Sequence, residues 1–487
     1  MAASDKKVKP GKFDLMIRNG TLVVPGLGVV AADVGVVGGR ITALGDGLSG
    51  SVEETIDARG MVVLPGFVDP HTHLGNELSF EEEATTETRA AVLGGVTTIG
   101  VFLREIEESY LDHLPAFRRA IDERSYVDAV FHPQIFTEEQ IMEIPRYAEE
   151  HGVRSFKFYM SGIPGIVPSV TDDILFEGLR QVGSLGPGAV ACVHCENGRL
   201  VDHAREGLPH RKPHGTLADW EEAHPPEAEA LAIQTAAYLA ARAGAHLYVV
   251  HLSSREGLEV VRDCRRAGAR MTVETTSPYL GLSSDDPNQF LAKMVPPIRS
   301  AANTRALWEG LRDGTINTVG TDNTSRTRDS KRADEGLHCS RPGYPVLGTH
   351  LPAFLHFGNL HHLGLEFLVD RACRAPAQVY GIYPRKGTIA IGSDADLVVV
   401  DLDLEREVRA ENLHGLSDFS PFEGKRLRSW PVATIKGGHV VARNGQIVGP
   451  PTGRYIPRLQ SRPEERWGET DGRMAELTSE PTHESGG

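Results

Sequence analysis

Between Gly66 and Gly381 the chain alternates short apolar runs with longer segments of helical periodicity, and this alternation restricts the fold more than any other feature of the sequence. The runs end near His71, Phe102, His132, Tyr159, His194, His251, Thr275 and Thr321. Eight parallel strands with helical crossovers is the number at which such a sheet closes on itself, so a (β/α)8 TIM-type barrel is expected over residues 66–381. The helical pattern is clearest from Pro226 to Gly244, where Ala, Leu and Tyr recur at helical spacing. On either side the texture changes to short Val/Ile-rich runs with Gly turns: Asp14–Arg18, Thr21–Val24, Asp33–Val37 and Arg40–Leu44 first, then Gly387–Asp401 and Val432–Val448. Neither flank is long enough to stand alone. Residues 1–65 and 382–457 are therefore expected to combine into one small β-sandwich, with the barrel inserted, in an α/β chain. Residues 458–487, poor in large apolar side chains, read as a loose tail or an arm that orders against a neighbouring subunit.

A chain of 487 residues fits a large domain plus a smaller one. Its net charge of -15, from 66 acidic against 51 basic side chains, argues against nucleic acid or an anionic membrane as partner, because binding phosphate needs clustered Lys and Arg. Met1 to Asp14 carries lysines without an apolar core, so no signal peptide is expected, and no later run is apolar enough to span a bilayer. The cysteines are five, few and odd in number, which fits a reducing, cytoplasmic setting. Cys192 and Cys195 have C-x-x-C spacing but no second pair, and read as small packing residues around His194.

The apolar run from Val62 breaks at Pro65-Gly66 and ends in His71-Thr72-His73. Residues two apart on a strand point the same way, so both imidazoles can meet one metal; the alternative is a loop that happens to hold two histidines. In Ser155-Phe156-Lys157-Phe158-Tyr159 the same alternation sends the two phenylalanines one way and Lys157 the other, into the barrel. A buried ammonium is costly, so Lys157 is either paired with a carboxylate such as Asp322 or neutral and carboxylated by carbon dioxide into a ligand able to bridge two metals. His194 and His251 each follow a β-rich run; alone, each reads as a hydrogen-bonded core histidine. Asp322 stands at the last strand end, where an acid can also serve as a helix cap. Together these side chains offer nitrogen and oxygen donors and no sulfur. Such a set suits Zn²⁺, with Mn²⁺, Co²⁺ or Fe²⁺ as alternatives.

The order His71-x-His73, Lys157, His194, His251, Asp322 resembles the amidohydrolase superfamily, in its cyclic-amide branch of hydantoinases, dihydropyrimidinases, allantoinases and dihydroorotases. The likeness runs to about Gly449. It includes Thr88-Arg89-Ala90-Ala91, Val193-His194-Cys195-Glu196-Asn197, Val273-Glu274-Thr275, Lys293 to Arg299 and Gly387 to Leu397. The resemblance implies that His71, His73, carboxylated Lys157 and Asp322 hold the more buried of two divalent metals, and Lys157, His194 and His251 the other. It further implies a metal-bridging hydroxide that attacks the scissile carbonyl of a small cyclic amide, imide or ureide. Asp322 would be the catalytic residue carrying the proton to the leaving nitrogen. A homotetramer or homodimer is expected on the same ground.

Several positions depart from that pattern. The branch's substrate-binding tyrosine, five places after the lysine, is Gly162 here, with Tyr159 nearby on the lysine's face. The residue after the aspartate is Asn323 where His is common. Val295 replaces a serine before the paired prolines, and the segment that meets the substrate's amide edge begins at Cys339. These five are the candidate substrate contacts. Dihydroorotase is disfavoured, because its carboxylate-binding Arg would fall at Gly75. The alternatives to a hydantoinase-like enzyme are an allantoinase-like ureide hydrolase, a non-catalytic dihydropyrimidinase-related scaffold, which would have lost ligands, and a mononuclear deaminase, which would have no use for Lys157.

Overall fold

The computed structural model describes residues 11–286 and 289–458; most of the expected tail at 458–487 lies outside the described residues. Eight parallel strands form the centre: β1 (Phe67–His73), β2 (Val96–Leu103), β3 (Asp128–Pro133), β4 (Ser155–Tyr159), β5 (Val190–His194), β6 (Leu247–Val249), β7 (Met271–Thr276) and β8 (Thr318–Gly320). Hydrogen-bonded ladders run from β1 to β3 and from β4 to β8. Two joins close the ring. Gln134 bridges Lys157 between β3 and β4, and beyond β8 the Asp322 amide donates to the His71 carbonyl at 2.9 Å while Asn323–Thr324 pairs with β1. The barrel is thus the one expected.

Apolar residues in the strands, such as Phe156 and Phe158, pack outward against the helices in the main core. The helices begin where their caps dictate. Ser79 and Glu82 form a capping box at the start of Phe80–Leu93, and Thr137 with Gln140 does the same for Glu138–His151. The long helix after β5 runs Pro226–Ala243 and stops at Gly244, whose φ of 69° is a left-handed cap.

Both chain ends build a second sheet with its own core of Leu15, Ile17, Val34, Val63, Leu397 and Ile435 among others. It differs from the expectation in two respects. Gly11–Val24 is one long strand rather than two short ones, irregular between Ile17 and Gly20, where Asn19 takes a φ of 58°. Its first part pairs in parallel with Gly50–Asp57 and its second with Val62–Pro65, so the nine strands are hydrogen-bonded as one continuous sheet. Of the Gly387–Asp401 stretch only Leu397–Asp401 is strand.

No helix among the described residues is long and apolar enough to cross a membrane. All five cysteines are free, and Cys192 and Cys195 are buried in the cores, as packing residues would be.

Candidate metal centre

The six side chains singled out at strand ends converge at one end of the barrel. His71 and His73 leave β1 on the same face, with ring centroids 5.4 Å apart. Asp322 meets both: its Oδ1 lies 3.2 Å from Nε2 of His71 and 3.4 Å from Nε2 of His73. Across the ring, Nδ1 of His194 and Nε2 of His251 stand 3.0 Å apart. Two nitrogens bound to one zinc ion at about 2.0–2.1 Å in a tetrahedral arrangement are about 3.3 Å apart. The observed separations are within reach of donors sharing an ion, though the 3.0 Å between the two rings is also a hydrogen-bond length. His251 and Asp322 have φ values of 42° and 55°, left-handed conformations that β-carbon-bearing residues adopt at a cost of about 1–3 kcal/mol. The backbone is strained at two of the residues that complete the cluster.

Lys157 is fully buried between these groups, its Nζ 4.9 Å from the ring centres of both Phe102 and Tyr159. It makes no hydrogen bond, and no ion pair with Asp322, among the described residues; Nε2 of His71 is likewise buried without a hydrogen bond. An unmet polar atom in a closed interior costs about 1–3 kcal/mol, more if charged. Nδ1 of His251 is a third, and three in one cluster of nitrogen and oxygen donors fit a metal centre. Burial pushes Lys157 down to about 8, and Asp322 opposes this only in part. Burial, aided by the neighbouring positive charges, also holds His71 and His251 well below the ordinary histidine value, so their rings are neutral and keep a lone pair to give. For Asp322 burial works upward, but His71 and His73 outweigh it and hold the carboxyl below its usual range.

Behind the donors stand carboxylates that positional reading of the sequence missed. Glu274, buried in β7, accepts from Nδ1 of His71 at 2.8 Å with one oxygen and from the Tyr248 hydroxyl at 2.7 Å with the other. Glu196 reaches Nε2 of His194 at 2.9 Å and Nδ1 of His224 at 2.7 Å. Such partners fix which ring nitrogen faces a metal. The signal for Glu274 was an acid in the middle of a β-rich run. Glu83 gathers the amides of Gly75, Glu77 and Leu78 at 2.7–2.9 Å and so orders the loop after His73. Gly75 turns that loop at a φ of 77°, where a side chain would be strained.

A small cavity of about 50 Å³ lies over the centre and opens into one of about 740 Å³. Tyr159 and Val295 line the inner cavity, and Cys339 the outer one. Gly162 borders neither; a Cβ there would come within 2.9 Å of the Val167 carbonyl and the Ser169 amide, so the loop at this point has no room for a tyrosine. Asn323 corrects the expectation of a substrate contact. Its oxygen accepts from the amides of Val346 and Leu347 and its nitrogen donates to Glu87, all away from the cavity. The position next to Asp322 is used to anchor the loop after β8.

Comparison with known proteins finds likeness over most of the chain. Residues 62–441 match the model of the amidohydrolase family. The chain is 33% identical over 463 residues to a D-hydantoinase of Geobacillus stearothermophilus, covering 91% of this chain and 96% of that protein. It is 32% identical over 450 residues to an L-hydantoinase of Paenarthrobacter aurescens, covering 90% and 96%. The crystal structure of dihydropyrimidinase from Brevibacillus agri superposes with a TM-score of 0.84 at 30% identity, over 92% of this chain and 99% of that one.

Proposed function

Because the chain belongs to the amidohydrolase family, in its cyclic-amide branch, we propose that His71, His73, Lys157, His194, His251 and Asp322 hold two divalent ions and that the enzyme opens small cyclic amides of the hydantoin and dihydropyrimidine kind. That it is a metal-dependent hydrolase of C–N bonds in cyclic amides follows from the family. The ligand assignment is supported above all by three buried atoms without a hydrogen bond, Nζ of Lys157, Nε2 of His71 and Nδ1 of His251, within a cluster whose donor separations suit shared ions.

We assign Lys157 an N-carboxylated form that would help to hold both ions. Its largely desolvated amine is poised to lose its proton and add carbon dioxide, and the resulting carboxylate would give the buried position the acid it lacks. Zinc is the ion proposed, on the donor set. When bound, the ions would supply Lewis-acid polarisation of the scissile carbonyl and a water acidified toward neutral pH. Asp322 takes the proton of the attacking water and returns it to the departing ring nitrogen, its backbone held in place by the hydrogen bond that its N–H donates to the His71 carbonyl. Tyr159, stacked on His194 at 5.3 Å, and Val295 shape the inner cavity around the ring. The leaving nitrogen stays tethered in the product, so ring opening is reversible. A cytoplasmic location, supported by the free cysteines, and a homotetrameric or homodimeric state, supported by the family resemblance, complete the proposal.

The test is a screen of hydantoins, dihydropyrimidines, allantoin and cyclic imides with metal-replete protein, alongside metal analysis. Two ions per chain and a ring-opened product are expected. A chain that binds none would be a scaffold, one ion would indicate the deaminase type, and allantoin as sole substrate would place it with the ureide hydrolases.

A further inference from the structure

The outer cavity carries a charge opposite to that of the chain. In a protein of net charge -15, its wall holds Arg104, Arg205, Lys293, Arg326 and Arg341 and no aspartate or glutamate. The five differ in what already holds them. Lys293 is buried and gives its protons to the carbonyls of Leu337 and Ser340 at 2.6 and 2.5 Å, with the Trp220 ring 4.0 Å away. Arg205 bonds Nε2 of His224 at 2.6 Å and lies on the other aromatic contact of Trp220. Arg341 is exposed at the rim. These three are committed to the wall or to solvent.

Arg104 and Arg326 are the two that line the inner cavity as well as the outer one. Arg326 is nearly buried, donates from Nε to the Pro342 carbonyl at 3.2 Å, and has only a long 3.5 Å contact with Glu77. Arg104, first residue after β2, makes no hydrogen bond and no ion pair within 4 Å among the described residues; the adjacent Glu105 lies 3.9 Å from His113 and feels Arg104 only as a weaker, more distant charge. A half-buried guanidinium on the wall of an outer cavity without a carboxylate, and of an inner one whose single carboxylate, Asp322, meets His71 and His73, is a planar fork without its counterpart. Neutral ring substituents, which an apolar wall would suit, give no reason for it.

We propose that the substrate is a cyclic amide or ureide whose ring substituent bears a carboxylate, read by Arg104 from the end of β2 with Arg326 beside it. The ring then lies over the metal centre in the inner cavity and the substituent points outward past Arg104. This inference rests on the cyclic-amide reading. It places the anion contact on Arg104 and Arg326 rather than on position 75, where glycine offers no side chain.

The experiment compares hydantoin-5-acetic acid with its neutral, nearly isosteric primary amide, as substrates and as ligands by calorimetry, using metal-replete wild type, Arg104→Gln and Arg104→Lys. A charge-assisted pair contributes enough for about 10- to 100-fold, so the acid should exceed the amide by that ratio in kcat/KM, carried mainly in KM. The ratio should collapse in Arg104→Gln, recover in part in Arg104→Lys, and shrink as salt is raised. An amide opened as well as the acid, with a ratio that Arg104→Gln does not move, overturns the inference and leaves the cyclic-amide reading intact. If neither compound is opened, the reading of the reaction is what fails. The inference is then decided by calorimetry: tighter binding of the acid that disappears in Arg104→Gln upholds it, and equal binding overturns it.

Discussion

Two buried clusters of charge lie on the barrel, and they have opposite character. One is the candidate metal centre. The other lies where the barrel meets the sheet of the chain ends: Asp128 at the start of β3, with Asp394, Asp396, Lys386 and Lys436. Three aspartates so close could hold a cation. Instead Lys386 contacts Asp128, Asp394 at 2.8 Å and Asp396 at 2.5 Å, Lys436 adds Asp128 at 3.0 Å, and Arg385 takes Asp394 at 2.9 Å. Burial alone would raise the Asp128 carboxyl, but the two lysines outweigh it and hold it well below the carboxylate range. Every charge there has its partner, and the cluster fastens the barrel to the sheet. At the candidate metal centre Nζ of Lys157, Nε2 of His71 and Nδ1 of His251 are buried without a hydrogen bond among the described residues. A self-satisfied cluster is a structural joint, whereas a cluster with orphans is shaped for something that is not protein.

The comparison breaks first at Lys157. Lys157→Ala is expected to abolish turnover, a loss of about 10³-fold or more for a centre that can no longer hold both ions, and to lower the metal content, with partial rescue by short carboxylic acids. Wild-type turnover with two ions in that variant would remove the bridging role. Asp322→Asn is expected to keep an oxygen donor and most of the metal while turnover falls by about 10²–10⁴-fold, the usual worth of a positioned proton carrier. Rapid turnover by that variant would assign the proton to another group.

The second cluster should answer differently. Lys386→Met leaves buried carboxylates without their main partner, so unfolding free energy should drop by about 3–5 kcal/mol while the folded fraction keeps its metal stoichiometry. Acid sharpens the contrast. Asp128 and Asp394 have folded values below the ordinary value of about 3.9, so their stabilisation is complete above that value and is lost as pH falls through the lowered ones. Denaturant titrations of wild type and Lys386→Met between neutral and acid pH would show this. A variant as stable as wild type would mean that the joint contributes nothing.

The sequence pattern reveals the strand ends because alternation is local: two histidines two apart on β1, or Lys157 opposite two phenylalanines on β4, can be read in a window of five residues. What it hides is set by distance along the chain. His71 and Glu274 are 203 residues apart, and only the closed ring of strands brings them together. Arg104 and Arg326 meet on one cavity for the same reason. Asn323 misled because a motif position gives a residue's place and not its direction; its side chain turns toward Val346 and Leu347. The continuous sheet was missed because Asn19 interrupts the β-rich pattern without ending the strand.

The smallest effect expected is at Glu274. Gln at this position has the same shape, its oxygen can still accept from Nδ1 of His71, and its nitrogen can donate to the Tyr248 hydroxyl, which then donates to Oγ1 of Thr318, 2.7 Å away. The hydrogen bonds survive; what is lost is a carboxyl that burial raises to about 8 and that a cation on His71 would draw into its charged form. Glu274→Gln should therefore fold with near wild-type stability yet bind metal about 10–100-fold more weakly, as carboxylates behind histidine ligands do when altered. Competition with a chelator of known affinity measures the change, and denaturant unfolding of the metal-free form checks the fold. Unchanged affinity with lowered stability would reverse the assignment. Glu274 would then belong with Asp128 as a structural acid, and the line drawn between the two clusters would have to move inward to the six donors alone.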